Sequence, residues 1–372
     1  MRRWPAASWS PPDLAPWASA DVALPAEALL AARGGAAERW VTVTAVSRKD
    51  EPWAAAGHVL GSGQVALDPL PSSSSSTALA GAAAAQPVRR GADLVLGGAS
   101  FDARTGALHR LGGLPVHGLR LDLWRAPTDN DEGENGKIAD AWREAKLHQL
   151  THQVRGVRVD GGSLVVTTRV APPMHDHGVL ATFRWTALEP GGAGAAAVRL
   201  DVHVQPQGEQ SLPWPRLGVR LHLPRALDRV AWFGRGPGEA YPDTGLAARV
   251  GRFSASVAEL QTPYVMPQEN GHRADVRWLE LTGGELVGSP RTSGLRVEGA
   301  PTTGFTARRW TTEELAAARH DAELVPGPDL VVTLDAALHG TGTASCGPAV
   351  LPQHVLHPAE RSFSVTLREL PA

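Results

Sequence analysis

Short apolar runs with a period of two recur along most of the chain, separated by glycine and proline. This period is typical of strands that bury one face. With 40 glycines and 30 prolines, the chain leaves little room for long helices. Strands are predicted over 93–96, 99–102, 163–170, 181–185, 197–204, 218–223, 229–233, 274–281, 294–298 and 330–336. This spacing predicts an all-β fold, and the lack of a sequence repeat of about 20–50 residues disfavours a propeller or a solenoid.

The first part of the chain differs from the rest and predicts a separate domain. Residues 1–71 contain three short strand signals between proline and glycine turns: 20–25, 39–46 and 58–67. We expect a small antiparallel β-sandwich here. Residues 72–87 are mainly serine and alanine without periodicity, which is typical of a flexible linker. Residues 88–372 are then predicted to form one large all-β domain.

Two short segments have helical rather than strand character. Residues 138–150 carry Trp142 and Leu147 among alternating charges. Residues 311–319 begin with Thr311 as a candidate N-cap, followed by acidic residues in the first turn. We expect one helix in each segment.

Charge and hydropathy exclude two classes of partner. The 36 basic and 38 acidic residues give a formal charge of -2, so no basic surface for nucleic acid or anionic lipid is expected. No run approaches the roughly 18–20 apolar residues that span a bilayer. No secretory signal follows Met1, which favours a cytoplasmic location. Tryptophan supplies 12 of the 20 aromatic residues. Indole rings stack on sugars, but burial in a core is the commoner use.

The few residues with reactive or metal-binding side chains give weak signals. Cys346 is the only cysteine, which excludes an internal disulfide and any zinc site made from cysteine pairs. A nucleophilic Cys346 would need a nearby histidine, and nothing in the sequence brings His339 to the sulfur. His175 and His177 could bind a metal, but such a pair on one exposed turn usually faces solvent. We expect no metal site.

Three regions are richer in special residues than ordinary strands: 123–133 (LWRAPTDNDEG), 232–243 (WFGRGPGEAYPD) with its neighbour 261–273 (QTPYVMPQENGHR), and the glycine-spaced loop 338–348 (LHGTGTASCGP), which holds the only thiol. The first is an acidic loop that could accept sugar hydroxyls or be a plain connection satisfied by its own backbone. The second is no dinucleotide fingerprint, because Pro237 follows its Gly-x-Gly at once. We expect the arginines and carboxylates of these segments to pair with each other and with loop backbone in the interior of the fold.

Together these segments resemble three ordered signatures of the C-terminal region of family 2 glycoside hydrolases of the β-galactosidase type. The signatures are R-A-P-x-D-N-D-x-G, G-x-G-P-x-E-N-Y-x-D and Y-V-x-P-Q-E-N-G. The run at 40–46, followed by W-A-x-A-G-H at 53–58, is similar to the preceding domain of that family. The resemblance implies an all-β fold: a small Ig-like β-sandwich followed by a large galactose-mutarotase-like antiparallel supersandwich.

The resemblance also implies a function. The chain would be the C-terminal part of a β-galactosidase, which hydrolyses terminal non-reducing β-D-galactose residues with retention. Retention needs two carboxyl groups about 5–5.5 Å apart. In the family these glutamates lie on a TIM barrel outside the region that the chain resembles, and Mg and Na are bound mainly through that barrel. We therefore expect no catalytic residue and no cofactor in this chain, and no activity from the chain alone.

The resemblance implies substrate contacts at three positions, namely Asp131, Gly133 and Cys346. In the family, the loop that begins at the position of Gly133 moves when substrate binds deeply. The position of Cys346 often holds a tryptophan on which sugar stacks, so a cysteine would weaken stacking by about 1 kcal/mol.

The expected partners are a β-galactoside such as lactose at the active-site rim, the catalytic part of a β-galactosidase, and a second copy within a homo-oligomer of the full enzyme. Neither nucleic acid nor a membrane is expected. A stand-alone carbohydrate-binding module without catalysis is the alternative. A mutarotase or epimerase is disfavoured, because a fold does not carry activity with it.

Overall fold

The computed structural model describes residues 12–25, 38–68, 85–133, 138–190, 195–283, 293–342 and 349–372. Within these ranges most regular structure is strand, and helix is limited to short segments. The all-β prediction is therefore confirmed. The chain divides into two units, Met1–Pro71 and Ser72–Ala372.

The described part of the first unit is built on one hairpin. Strands β1 (Trp40–Val46) and β2 (Val59–Ala66) pair antiparallel, as the pattern predicts. Ser47 closes the connection, because its hydroxyl donates to the carbonyl of Ala55 at 3.0 Å and accepts from the amide of His58 at 3.1 Å. The predicted strand at 20–25 is wrong for its described residues, which form no ladder.

The second unit begins with a five-stranded antiparallel meander in chain order. Its strands are β3 (Val88–Arg90), β4 (Asp93–Leu96), β5 (Ala99–Asp102), β6 (Leu108–Leu111) and β7 (Leu114–Pro115). The buried Phe101 packs edge-on against Trp185 of the large sheet, with ring centroids 5.1 Å apart. The meander therefore shares the core of the large sheet.

Twelve described strands form the large sheet, and all their pairings are antiparallel. They are β8 (His117–Asp122), β9 (Thr151–Asp160), β10 (Ser163–Ala171), β11 (Gly178–Ala187), β12 (Ala197–Gln207), β13 (Arg216–Pro224), β14 (Leu227–Gly236), β15 (Arg249–Ser256), β16 (Arg273–Gly283), β17 (Gly294–Arg308), β18 (Asp329–Leu338) and β19 (Arg361–Leu370). The main path runs β15-β14-β16-β17-β19-β12-β11-β10-β9. Off this path, β18 pairs with β17, β13 with β18, and β8 with β13.

The alternation of apolar residues decides which face of each strand is buried. Along β11, Ala181, Phe183 and Trp185 are buried while the residues between them are half-buried. Each large side chain buried in this way stabilises the fold by about 1.5–3 kcal/mol. Five tryptophans are at most 3% exposed, so core packing is their main use in the second unit. They are Trp124, Trp142, Trp185, Trp214 and Trp232.

Three short α-helices lie in the described loops: α1 (Asp129–Glu132), α2 (Ile138–Glu144) and α3 (Thr312–Ala317). The predicted helix over 138–150 is shorter than expected, because Lys146 adopts a left-handed backbone with φ of 53°. A 3₁₀ turn follows, and its Leu147 is buried. The predicted cap of α3 is confirmed, since Thr311 accepts from the Glu314 amide at 3.1 Å.

Candidate functional site

Four loops meet in one region beside the large sheet, and we name them the loop cluster. They are 123–133, 237–245, 261–272 and 339–342. Side chains link each loop to another: the Gln268 amide donates to Asp129 at 2.8 Å, and the Asn130 amide donates to the Thr341 carbonyl at 2.9 Å. The structure therefore brings together the segments 123–133, 232–243 and 261–273 with the described part of the glycine-rich loop that follows β18.

A buried ion pair fixes the first loop. Arg125 donates from Nη1 to Oδ2 of Asp131 at 2.6 Å and from Nη2 to Oδ1 at 3.1 Å. The same carboxylate caps α1 by accepting from the amide of Thr128 at 2.7 Å and from its hydroxyl at 2.9 Å. Arg125 also reaches the last loop, because its Nη2 donates to the carbonyl of Gly340 at 2.9 Å. One guanidinium therefore ties α1 to the glycine-rich loop.

Asp243 anchors the glycine-rich loop from the other side. Its carboxylate accepts from the amide of Thr341 at 2.9 Å and from the amide of Gly342 at 2.8 Å. A glycine is required at position 340, because a Cβ there would lie 2.5 Å from Oδ2 of Asp243. Backbone donors that converge on one carboxylate hold a loop with little freedom.

Glu269, in the loop 261–272, is the centre of the buried charges of the loop cluster. Its Oε1 accepts from Arg308 at 2.5 Å, from Arg216 at 3.4 Å and from the hydroxyl of Tyr241 at 3.4 Å. Burial acts to raise the pKa of Glu269, but the adjacent guanidiniums of Arg308 and Arg216 outweigh burial and lower it. The carboxylate is thus ionised at neutral pH. Burial and the charge of Glu269 raise the pKa of Tyr241, which stays protonated and can donate.

A histidine and an aspartate face each other next to Glu269. The imidazole of His272 lies with Nδ1 2.7 Å from the Ala240 carbonyl and Nε2 3.4 Å from Oδ2 of Asp335. Burial lowers the pKa of His272, and burial raises the pKa of Asp335. The nearby guanidinium of Arg216 acts in the opposite direction on Asp335 but does not outweigh burial. Burial therefore disfavours the charged form of both groups.

The buried charges around Glu269 continue onto the strands β8, β13 and β18. The sequence did not predict these strand residues. Arg216 lies within 3.5 Å of Asp122 and 3.1 Å of Asp335, while Arg220 donates to Asp122 at 3.0 Å. These residues are at most 4% exposed. A signal was available, because a charged residue inside an apolar strand run must find a partner in the core. Asp335 stands in such a run, L-V-V-T-L-D-A.

The three predicted site residues lie in different environments, and one of them is outside the described residues. Asp131 is 2% exposed and lies in the ion pair with Arg125. Gly133 is half-buried at the end of α1, with the carbonyl of Asp129 3.5 Å from the place of a Cβ. Cys346 lies outside the described residues. Contact of these three positions with sugar stays a prediction.

The carboxylates of the loop cluster hold the loops in place and are not arranged for proton transfer to a ligand. Its described carboxylates are held by arginines, amides or a hydroxyl: Asp129, Asp131, Glu132, Glu239, Asp243 and Glu269. The outer side of the cluster keeps polar groups at the surface, since Asp129 and Asn130 are exposed. The arrangement can thus present hydrogen-bonding groups from rigid loops to a ligand or to another domain.

Among the helices that the structure describes, none has the length and apolar character needed to cross a membrane.

Comparison with known proteins identifies two matching families. Residues 98–367 match the family described as Beta galactosidase small chain. Residues 5–68 match the family described as Beta-galactosidase, domain 4. The matches fall on the two parts between which the sequence places a linker.

Similar curated proteins are β-galactosidases. The chain is 37% identical to a β-galactosidase of Arthrobacter sp. in an alignment of 355 residues that covers 89% of this chain and 33% of the relative. It is 35% identical to a β-galactosidase of Vibrio cholerae in an alignment of 340 residues that covers 86% of this chain and 31% of the relative. The chain thus spans about a third of the length of these relatives.

Solved structures give a weaker likeness. A putative aldose 1-epimerase from Escherichia coli K12 covers 77% of this chain and 99% of its own, with a TM-score of 0.38 and 11% identity. A galactose mutarotase related enzyme from Lactobacillus acidophilus covers 76% of this chain and 96% of its own, with a TM-score of 0.36 and 10% identity. A likeness at this level carries no inference about activity.

Proposed function

Because the chain belongs to the β-galactosidase small-chain family, we propose that it acts as the C-terminal part of a β-galactosidase. This enzyme hydrolyses terminal non-reducing β-D-galactose residues with retention. In the proposal, the chain supplies loops at the rim of the active site and a surface for assembly. The catalytic glutamates, and the Mg and Na sites, lie mainly on the catalytic barrel, so this chain alone is inactive.

One observation carries the proposal: the three family signatures meet in the loop cluster and fix its loops through buried charges. Arg125 holds α1 and the glycine-rich loop together, and Asp243 holds the same loop from the opposite side. Loops that are rigid before a ligand arrives lose less entropy when it binds. This supports a role in completing a site rather than in the chemical step.

The exposed side of the loop cluster suits two kinds of contact. Asp129 and Asn130 offer an acceptor and an amide to sugar hydroxyls. Nearby, Val265 is 94% exposed and Met266 is 43% exposed, although both are apolar. Exposed apolar residues that adjoin polar ones are typical of protein interfaces. We assign this apolar pair to the contact with the catalytic part.

Substrate contact enters the proposal through the three positions that the family resemblance implies. Asp131 holds α1 in place, and Gly133 follows directly after this helix. A β-galactoside such as lactose would meet the rim here, with weaker stacking at Cys346 than a tryptophan would give. We propose a cytoplasmic homo-oligomer of the full enzyme, since a single thiol needs no oxidising compartment.

The test is hydrolysis of a chromogenic β-galactoside by the purified chain. The chain is assayed alone and after mixing with the part of the Arthrobacter β-galactosidase that lies outside the matched third. We expect turnover only in the mixture. Turnover by the chain alone, in preparations from a host that lacks its own β-galactosidase, would contradict the proposal.

A stand-alone carbohydrate-binding module is the second candidate, and one observation favours it. In the first unit, the indole of Trp53 is 64% exposed, and an exposed indole can stack on a sugar ring. Calorimetry with galactose and lactose at millimolar concentration tests this function. Binding that the substitution Trp53→Ala abolishes would support the module, and a flat titration would contradict it.

A further inference from the structure

Two histidines and an aspartate meet on three neighbouring strands of the large sheet. His117 on β8 is the direct register partner of His222 on β13, and Asp329 begins β18 opposite Pro224. Nε2 of His117 lies 3.0 Å from Oδ2 of Asp329, and Nδ1 of His222 lies 3.5 Å from the same oxygen. One ligand atom from each residue lies within 4.8 Å of the other two.

The backbone leaves room for this arrangement. Gly118 has φ of +63°, a conformation that favours glycine. A Cβ at this position would lie 3.0 Å from Cδ2 of His222. The glycine therefore lets the imidazole of His222 lie next to β8. Because hydrogen-bonded strands carry all three side chains, their spacing is set before any ion binds.

We propose that His117, His222 and Asp329 form a binding site for a divalent transition-metal ion of the zinc class. Zinc binds imidazole nitrogen and carboxylate oxygen at about 2.0–2.2 Å, so tetrahedral ligands lie roughly 3.3 Å apart. The two distances to Asp329 match this separation. Two imidazoles and one carboxylate favour Zn²⁺, Ni²⁺ or Cu²⁺ over Mg²⁺ and Ca²⁺, which prefer ligand sets made of oxygen.

The site differs from the other histidine clusters among the described residues. Four other described histidines each pair with a single carboxylate: His109 with Asp93, His203 with Glu360, His272 with Asp335 and His320 with Glu323. The rings of His175 and His177 lie 4.7 Å apart, but among the described residues no third histidine, cysteine or carboxylate completes a group of ligands with them. From the sequence we expected no metal site, because only residues close together along the chain, such as His175 and His177, could be weighed as shared ligands. The proposed site departs from that expectation.

The surroundings leave the site reachable from solvent. The side chain of His117 is 54% exposed, that of Asp329 29% and that of His222 21%. Arg220, the charged neighbour on β13, is already paired with Asp122 and Glu313. A bound ion would keep open positions for water, and it would link β8, β13 and β18 through their side chains.

The experiment is calorimetric titration of Zn²⁺ into the full chain after treatment with a chelator. We expect one tight site per chain. Each of the variants His117→Gln, His222→Gln and Asp329→Asn should weaken binding at least about tenfold, since even partners of metal ligands matter by that factor. His117→Gln is the safest of these for folding, because its side chain is more than half exposed.

Matched controls separate this site from ordinary histidine binding. His320→Gln removes an exposed histidine that also pairs with a carboxylate, and it should leave the tight site unchanged. Absorption of bound Co²⁺ gives a second readout, and His117→Gln should abolish the bands of a four-coordinate ion. Tight binding that survives all three ligand variants, or that is lost in His175→Gln or Cys346→Ser instead, would overturn the proposal.

Discussion

Arg125 and Asp131 face each other through two parallel hydrogen bonds of 2.6 Å and 3.1 Å, with side chains 0% and 2% exposed. The guanidinium also lies over the ring of Trp142, with 5.0 Å between Cζ and the ring centroid. A buried pair of this kind adds little compared with a well-packed apolar core, but the loss of one partner leaves an unpaired charge. The pair therefore makes the fold of the first loop strongly dependent on both residues.

Replacement of Arg125 should lower the stability of the folded chain. Arg125→Ala leaves the Asp131 carboxylate buried without its cation and removes the contact with the Gly340 carbonyl. We expect the free energy of unfolding to fall by about 3–5 kcal/mol, measured by urea denaturation. Arg125→Lys should restore only part of this, because lysine cannot form the two-pronged contact.

A control for this prediction is Arg143→Ala. Arg143 pairs with Glu132, but their side chains are 41% and 30% exposed. Removal of a pair exposed in this way costs about 0–1 kcal/mol. A similar loss of stability in both variants would contradict the role of the buried pair.

The stability of the chain should depend on pH through His339. Burial, and then the charge of Arg125, lower the pKa of His339 to about 4 from 6.5. The folded state thus takes up this proton less readily than the unfolded state, and stability falls as pH drops from about 6.5 to 4. The full loss is roughly 3 kcal/mol from this group.

The variant His339→Gln tests this source of pH dependence. Glutamine does not titrate, so the slope of unfolding free energy against pH should flatten between pH 6.5 and 4. Comparison at pH 7.5, where His339 is neutral in both states, separates the loss of packing against Trp142 from the loss of titration. An unchanged slope in the variant would show that other groups carry the dependence.

Loosening of the glycine-rich loop should affect substrate binding in the reconstituted enzyme. Asp243→Ala removes the acceptor for the amides of Thr341 and Gly342. Under the proposed function we expect KM for a β-galactoside to rise about tenfold, equivalent to about 1.4 kcal/mol, with a smaller effect on kcat. Steady-state kinetics of the mixture measures both.

The matched control for this variant is Asp160→Ala. Asp160 forms surface ion pairs with Arg158 and Arg184, and it belongs to β9 rather than to the loop cluster. Its replacement should leave KM within about twofold, since surface pairs contribute little. Equal KM values for both variants and the wild type would argue against a role of the glycine-rich loop in substrate binding.

The apolar side of the loop cluster should govern assembly. Val265→Asp places a charge on a residue that is 94% exposed and assigned to the contact with the catalytic part. We expect association to weaken about tenfold, measured by titration of the chain into the catalytic part. Met174→Asp is the control, because Met174 is fully exposed in the turn between β10 and β11. Equal weakening by both would contradict the assignment.

Sequence alone predicted the central strands well and the edge strands poorly. All ten strands predicted after the linker are present. The strands β9 and β15, which end the main path of the sheet, were missed, as were β8 and the short meander strands β3, β6 and β7. Edge strands bury less, so their apolar pattern is weak: only one of the eight residues of β15 is buried, five are half-buried and two are exposed. The central β19 was missed as well, although its alternation of Phe363, Val365 and Leu367 was readable.

The loop cluster was predictable only in part. The signatures indicated which loops would contain special residues. The expected pairing of arginine with carboxylate is present twice, between Arg125 and Asp131 and between Arg308 and Glu269. The partners from the strands, Arg216 and Asp335, could not be assigned, because their contacts depend on how distant strands pair. The residues of the proposed metal site could not be grouped for the same reason, since His117 and Asp329 are far apart in sequence.

The most direct test of the central claim is a titration at a fixed, low concentration of the Arthrobacter catalytic part. Increasing amounts of the chain are added, and the rate of β-galactoside hydrolysis is measured at each step. We predict a rate that rises from near zero and saturates at one chain per catalytic part, with no turnover by the chain alone. A rate that is independent of the added chain, or that scales with the chain when the catalytic part is omitted, would contradict the account.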